Sequence, residues 1–139
     1  MSMELFVILA AAQAPDAEAW NRALADAHVP IELSADADLS KSTGFLPVTL
    51  DGNKTGFRSF ILESFSEIAE HYAAIAKLKV GRPVVYSLGY GGDFTECAAV
   101  FYSASVLVER FGGLAFEPQG GLFMSKGDLL NAAKECQRL

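Results

Sequence analysis

The stretch from Pro83 to Met124 constrains the fold most. Pro83-Val84-Val85-Tyr86-Ser87-Leu88 reads as a buried strand, Gly89-Tyr90-Gly91-Gly92 as a bend, and Asp93 to about Phe111 as a helix. No charge interrupts that helix between Glu96 and Glu109. A helix that is apolar nearly all round has to be covered on more than one side. The segment is therefore expected at the structural centre of a domain, with Gly112-Gly113 stopping the helix and a short hairpin following.

The flanking chain supplies what would cover it. Leu5 to Ala10 is a continuous apolar run, expected as a central strand. A helix follows Pro15-Asp16 and runs to about His28, with Ala17, Trp20, Leu24 and Ala27 as its inner stripe. Ile31-Glu32-Leu33 is a short alternating strand. Phe45 to Leu50 and Thr55 to Leu62 pair around Asp51-Gly52-Asn53-Lys54, and Pro47 marks the first of them as an edge. A second helix opens on Ser64 with Glu67 at capping-box spacing, buries Phe65, Ile68, Tyr72 and Ile75, and closes at Gly81 and Pro83. Leu114–Glu117 and Gly121–Met124 form the last hairpin. The final helix starts at Ser125, with Asp128 three residues on. The order β-α-β-β-β-α-β-α-β-β-α predicts a single α+β domain over residues 1–139: a mixed, mostly antiparallel sheet with about four helices packed on it.

The 139 residues are enough for one sizeable core. Hydrophobic residues make up 51% and the mean hydropathy is +0.25. The longest apolar run, Cys97 to Val108, is still too short for the roughly 20 residues of a membrane span. The excess predicts a dense core, a homodimer interface, or both. Leu5 to Ala12 resembles the apolar part of a signal peptide, yet Met1-Ser2-Met3-Glu4 carries no Lys or Arg, so a buried first strand is expected. Cys97 and Cys136 fall on apolar helix faces and are expected as free thiols in a reducing, cytoplasmic setting. No cysteine or histidine spacing suggests a metal or cofactor.

The net charge of −6 is unevenly placed. Glu4, Asp16, Glu18, Asp26, Glu32, Asp36 and Asp38 face a single base, Arg22, in the first forty residues. The rest of the chain is balanced. This disfavours nucleic acid, whose phosphates need clustered Lys and Arg, and suits a basic protein partner. Asp16, Glu18, Glu32, Asp36 and Asp38 are the expected partner-binding residues, against the plainer reading of a solvated acidic face.

Chemistry-bearing patterns are scarce. The Gly89–Gly92 bend sits where phosphate loops sit, but lacks the P-loop and dinucleotide-binding spacings. Asp93 and Glu96 in the following turn would repel a phosphate. Asp36-Ala37-Asp38 imitates a calcium loop, with Lys41 and Pro47 where glycine and glutamate belong. His28 and His71 have no nucleophile pattern around them. Asn53-Lys54-Thr55, a glycosylation sequon in form, reads as a hairpin turn. Tyr86, Tyr90 and Tyr102 gather near the bend as core, as interface, or as the lining of a pocket for a small apolar or aromatic ligand.

Two segments carry a resemblance: Gly44-Phe45-Leu46-Pro47-Val48 with Thr55-Gly56-Phe57, and Phe111-Gly112-Gly113-Leu114-Ala115-Phe116-Glu117-Pro118-Gln119 with Gly120-Gly121. Together they resemble small uncharacterised bacterial α+β proteins of the kind encoded as immunity partners of polymorphic toxins. The resemblance implies a cytoplasmic, non-enzymatic binder that occludes a toxin, and it transfers no site residues. A small-molecule-binding domain or small enzyme using the Tyr90 region is the alternative, and a dimer without such a partner the third.

Overall fold

The computed structural model describes residues 3–34, 43–62 and 65–139. In chain order it comprises β1 (Met3–Ala10), a 3-10 turn (Ala11–Gln13), α1 (Ala17–Asp26), β2 (Ile31–Leu33), β3 (Thr43–Leu50) and β4 (Asn53–Leu62). Then come α2 (Phe65–His71), α3 (Ala73–Ala76), β5 (Pro83–Tyr90), α4 (Phe94–Phe111), β6 (Leu114–Glu117), β7 (Leu122–Met124) and α5 (Lys126–Arg138). The strands form one seven-stranded sheet in the order β2-β3-β4-β5-β1-β6-β7. The chain is thus an α+β domain, and every pairing among the described strands is antiparallel rather than mixed.

β1 explains its own apolar run. It lies between β5 and β6, and both of its faces are covered. Leu5, Val7 and Leu9 join the main core with Trp20, Leu88, Val100 and Leu107. Phe6 and Ile8 point the other way and join Val85, Phe116, Ile68 and Ile75 beneath α2 and α3. The sheet is therefore sandwiched by α1, α4 and α5 on one side and by the short α2–α3 pair on the other.

α4 is the centre the sequence predicts. Every residue from Ala98 to Leu107 is buried. The sheet covers one side, while α1 and α5 cover the others, and the Trp20 indole donates to the Ser103 carbonyl at 3.1 Å. Gly112 ends the helix in the left-handed region at φ 69°. At Gly113 a Cβ would meet Val7 Cγ1 at 2.8 Å, so the chain passes β1 too closely for any side chain. α5 opens on the expected reciprocal cap between Ser125 and Asp128, with Met124 and Leu129 packed beside it.

Cys97 and Cys136 are disulfide-bonded, with their Cα atoms 5.9 Å apart, which overturns the free-thiol expectation. The bond joins the start of α4 to the end of α5. At the opposite ends of the same helices Lys126 pairs with Glu109 at 2.8 Å, so the two helices run antiparallel.

Other local expectations shift for identifiable reasons. α1 ends at Asp26 rather than His28, because His28 takes φ 58°. There its N–H donates to Ala25 O and that of Val29 to Leu24 O, the closure that glycine usually provides. The expected second helix is broken at Tyr72, whose extended backbone separates α2 from α3. Its expected cap, Ser64, lies outside the described residues. β4 begins at Asn53, two residues early: Asp51 (φ 51°) and Gly52 (φ 82°) alone make the turn.

Pro47 is not on an edge strand, since β2 covers β3. Its carbonyl accepts from Ser34 N at 3.0 Å, so its missing N–H faces β2 where that ladder has just ended. At the other end Asp51 N donates to Pro30 O, and Pro30 likewise has nothing to return. The two prolines bound β2 at three residues.

Candidate functional site

The glycine bend is the first candidate. Tyr90 is the last residue of β5, and α4 begins at Phe94. The Asp93 carboxylate caps the helix, accepting from Thr95 N at 2.8 Å and from the Thr95 hydroxyl at 2.6 Å. These donors hold the Asp93 carboxyl below its usual range. The Glu96 carboxylate folds back to accept from Gly91 N at 3.3 Å. The chain's own carboxylates thus take the Gly91 and Thr95 N–H donors at the mouth of the helix.

The three tyrosines have separate tasks. Tyr86 is buried against Trp20 and its hydroxyl donates to the Pro15 carbonyl at 3.2 Å. Burial, with the nearby Asp16 carboxylate, pushes its phenol up to about 12. Tyr90 packs edge-on against Phe101, and burial and Glu117 raise its pKa. Tyr102 donates to Gln137 Oε1 at 2.5 Å across the α4–α5 seam. Of the three, Tyr102 lines a cleft of ≈ 410 Å³, together with His28, Arg110 and Lys134. His71 ends α2 on the opposite side of the sheet. Among the described residues no group of three or more His, Cys, Asp or Glu side chains is placed to hold a metal.

The acidic residues behave differently from one another. Asp16 caps α1, accepting from Ala19 N at 2.8 Å, and Glu18 pairs with Arg22 at 3.1 Å. Glu32 projects from β2 into solvent. The fold brings Glu18 and Glu32 into one cleft of ≈ 720 Å³, joined by Asp51 from the β3–β4 turn and by Arg22, the base that pairs with Glu18. Asp16 is not among its lining residues. Asp36 and Asp38 lie outside the described residues.

Glu32 also borders a second cleft, of ≈ 540 Å³, on the outer face of β2, β3 and β4, with Lys54 across it. Leu46, Val48 and Leu50 point into the core, so Phe45, Pro47 and Thr49 must point out. The α2–α3 pair packs over β5, β1 and β6 and leaves these residues uncovered. Phe45 is 58% exposed. Its ring lies across Gly56, where a Cβ would collide with the ring and with Leu46 O at 2.6 Å. The glycine thereby lets an exposed phenyl lie flat on the sheet. Glu32 and Thr49, partners across β2–β3, form the ridge between this aromatic trough and the acidic cleft.

Asn21 sets the position of that ridge. Its carboxamide accepts from Leu33 N at 2.6 Å and donates to Leu33 O at 3.0 Å, fastening β2 to α1. Phe45, Asp51 and Asn21 were not expected at a site. Alternation in Phe45–Leu50 carried the outward Phe45; nothing local carried Asp51 or Asn21, which meet Glu32 only through strand pairing.

No family model matches the chain, and neither does any curated protein or solved structure. No helix among the described residues is long and apolar enough to cross a membrane.

Proposed function

We propose that this chain is a non-enzymatic protein-binding module that receives a basic protein partner on the face formed by β2, β3 and the adjoining α1. The observation that carries the reading is the continuity, through Glu32, of an exposed aromatic anchor with a carboxylate-lined cleft. Interfaces concentrate energy in a few aromatic side chains and place polar groups around them. Phe45 held against Gly56 is such an anchor. Glu32 and Asp51 supply a negative rim beside the Glu18–Arg22 pair, and complementary charge acts mainly on the rate of encounter.

The resemblance noted above suggests a toxin as that partner, occluded rather than modified. It also carries a cytoplasmic setting, which leaned on free thiols. The Cys97–Cys136 bond favours an oxidising compartment instead.

Affinity capture from the source cell, followed by kinetics with the recovered protein, tests the proposal. Phe45→Ala is expected to speed dissociation by about tenfold or more. Glu32→Lys is expected to slow association and to flatten its salt dependence. Recovery of no partner, or unchanged kinetics in both variants, would overturn the reading.

A further inference from the structure

The two edges of the sheet are treated differently. At β2, Asn21 occupies the backbone groups of Leu33 and two prolines bound the strand. Such devices keep an edge from pairing with another chain. Among the described residues, no side chain and no proline guards the outer edge of β7 in this way. Gly121 N donates to Glu117 O at 2.9 Å, so Glu117 faces β7 across the hairpin. By alternation Phe116 faces β1, and Phe123 opposite it turns its N–H and C=O away from β6, out of the sheet.

Apolar side chains surround this open position. Leu114 is 38%, Leu122 66% and Phe123 41% exposed, half of the large exposed hydrophobics among the described residues. Glu117 is the only charged residue from Gly112 to Ser125. Its carboxylate is folded onto its own turn, accepting from Gln119 N at 3.0 Å and from Gly120 N. A row of aromatic contacts leads outward through Phe6, Tyr72, Phe116 and Phe123, with ring centroids 6.3, 5.2 and 5.1 Å apart in turn. It stops at the edge.

We infer that a second copy of this chain docks at β7, antiparallel, on a two-fold axis through Phe123. The two Phe123 residues then exchange both N–H···O bonds, as a hydrogen-bonded pair in an antiparallel ladder does. Their rings lie side by side and continue the aromatic row from one protomer into the next. On the other face Leu122 of each copy meets Met124 of its mate. The occupant follows from charge and symmetry. The net charge of −6 lies in the first forty residues, so two copies meet with little repulsion at this hairpin, whose one charge is Glu117, whereas a basic partner is drawn to the opposite edge. A single outward residue offering one donor and one acceptor is also self-complementary about a two-fold axis. With so short an edge the dimer is a weak one, in the micromolar range.

Sedimentation velocity over micromolar to submillimolar concentrations tests this. Wild type and Phe45→Ala are expected to dimerise alike, which separates this edge from the proposed partner face. Phe123→Lys and Leu122→Glu, both at exposed positions, are expected to weaken association about tenfold or more while circular dichroism remains unchanged. Under mild oxidation Phe123→Cys is expected to form a covalent dimer and Glu135→Cys, on α5, to stay monomeric. A monomeric wild type overturns the inference. So does a dimer indifferent to Phe123→Lys, or equal cross-linking of the two cysteine variants.

Discussion

Tyr86 shows how much one side chain can hold together. Its ring packs on Trp20 and its hydroxyl ties β5 to the loop before α1. Raising its phenol to about 12 from the ordinary 10.0 has a defined consequence for stability. The folded chain keeps the proton where the unfolded chain loses it. The contribution is therefore intact below pH 10 and disappears as pH rises towards 12, on the order of 2–3 kcal/mol. Urea unfolding followed across this range is expected to show that loss in wild type and a flatter profile in Tyr86→Phe. At neutral pH the variant starts lower by about 1 kcal/mol, since the Pro15 carbonyl loses its donor. From the sequence Tyr86 lay on a buried strand, open between core, interface and pocket lining; the structure places it in the core. The sequence could not show the distant Pro15, because such partners depend on how α1 lies over the sheet.

Among elements, the α4–α5 pair carries the largest departure from the sequence reading. Both cysteines lie on helices, as expected, yet a separation of 39 residues says nothing about whether they meet. They meet because a hairpin returns the chain antiparallel along α4. The same geometry places Lys126 beside Glu109. Closing a loop of that length stabilises by about 4 kcal/mol in the chain-entropy account. Reduction, or Cys97→Ala with Cys136→Ala, is expected to lower the melting temperature by on the order of 10 °C, measured by calorimetry with and without a thiol reductant. Turn chemistry was the more legible part. Gly112-Gly113 and Ser125 with Asp128 act where residue type alone placed them, and Asp51-Gly52 forms the shorter core of the expected turn, because local backbone geometry dictates them. His28 escaped that logic. It takes a left-handed conformation usually left to glycine, and only the closure of α1 onto Val29 shows why.

At the scale of the molecule, the sheet order sets a gradient of protection. β1 and β5 pair over eight residues and are covered on both faces, while β2 and β7 are three-residue strands at the edges. Native-state hydrogen exchange is expected to be slowest at the amides of Leu5–Ile8 and Val85–Leu88 and fastest among the described strands in β2 and β7. Uniform exchange rates across the seven strands would contradict this layering. The α+β architecture, the central place of α4 and the buried first strand could be read from apolar runs. The order in which strands lie side by side could not, because pairing partners are chosen by three-dimensional fit across long stretches of chain. The candidate surface shares that limit: Glu18 and Glu32 could be named as charges, but Phe45 becomes an anchor only once the described helices pack elsewhere and leave it exposed.

The position of β1 has a consequence for synthesis. Its two neighbours, β5 and β6, are separated from it by most of the chain. On the ribosome one edge of this apolar strand must wait for Tyr90 to emerge and the other for Phe116. Until then an apolar segment with an unpaired edge is the kind of surface through which nascent chains adhere to one another.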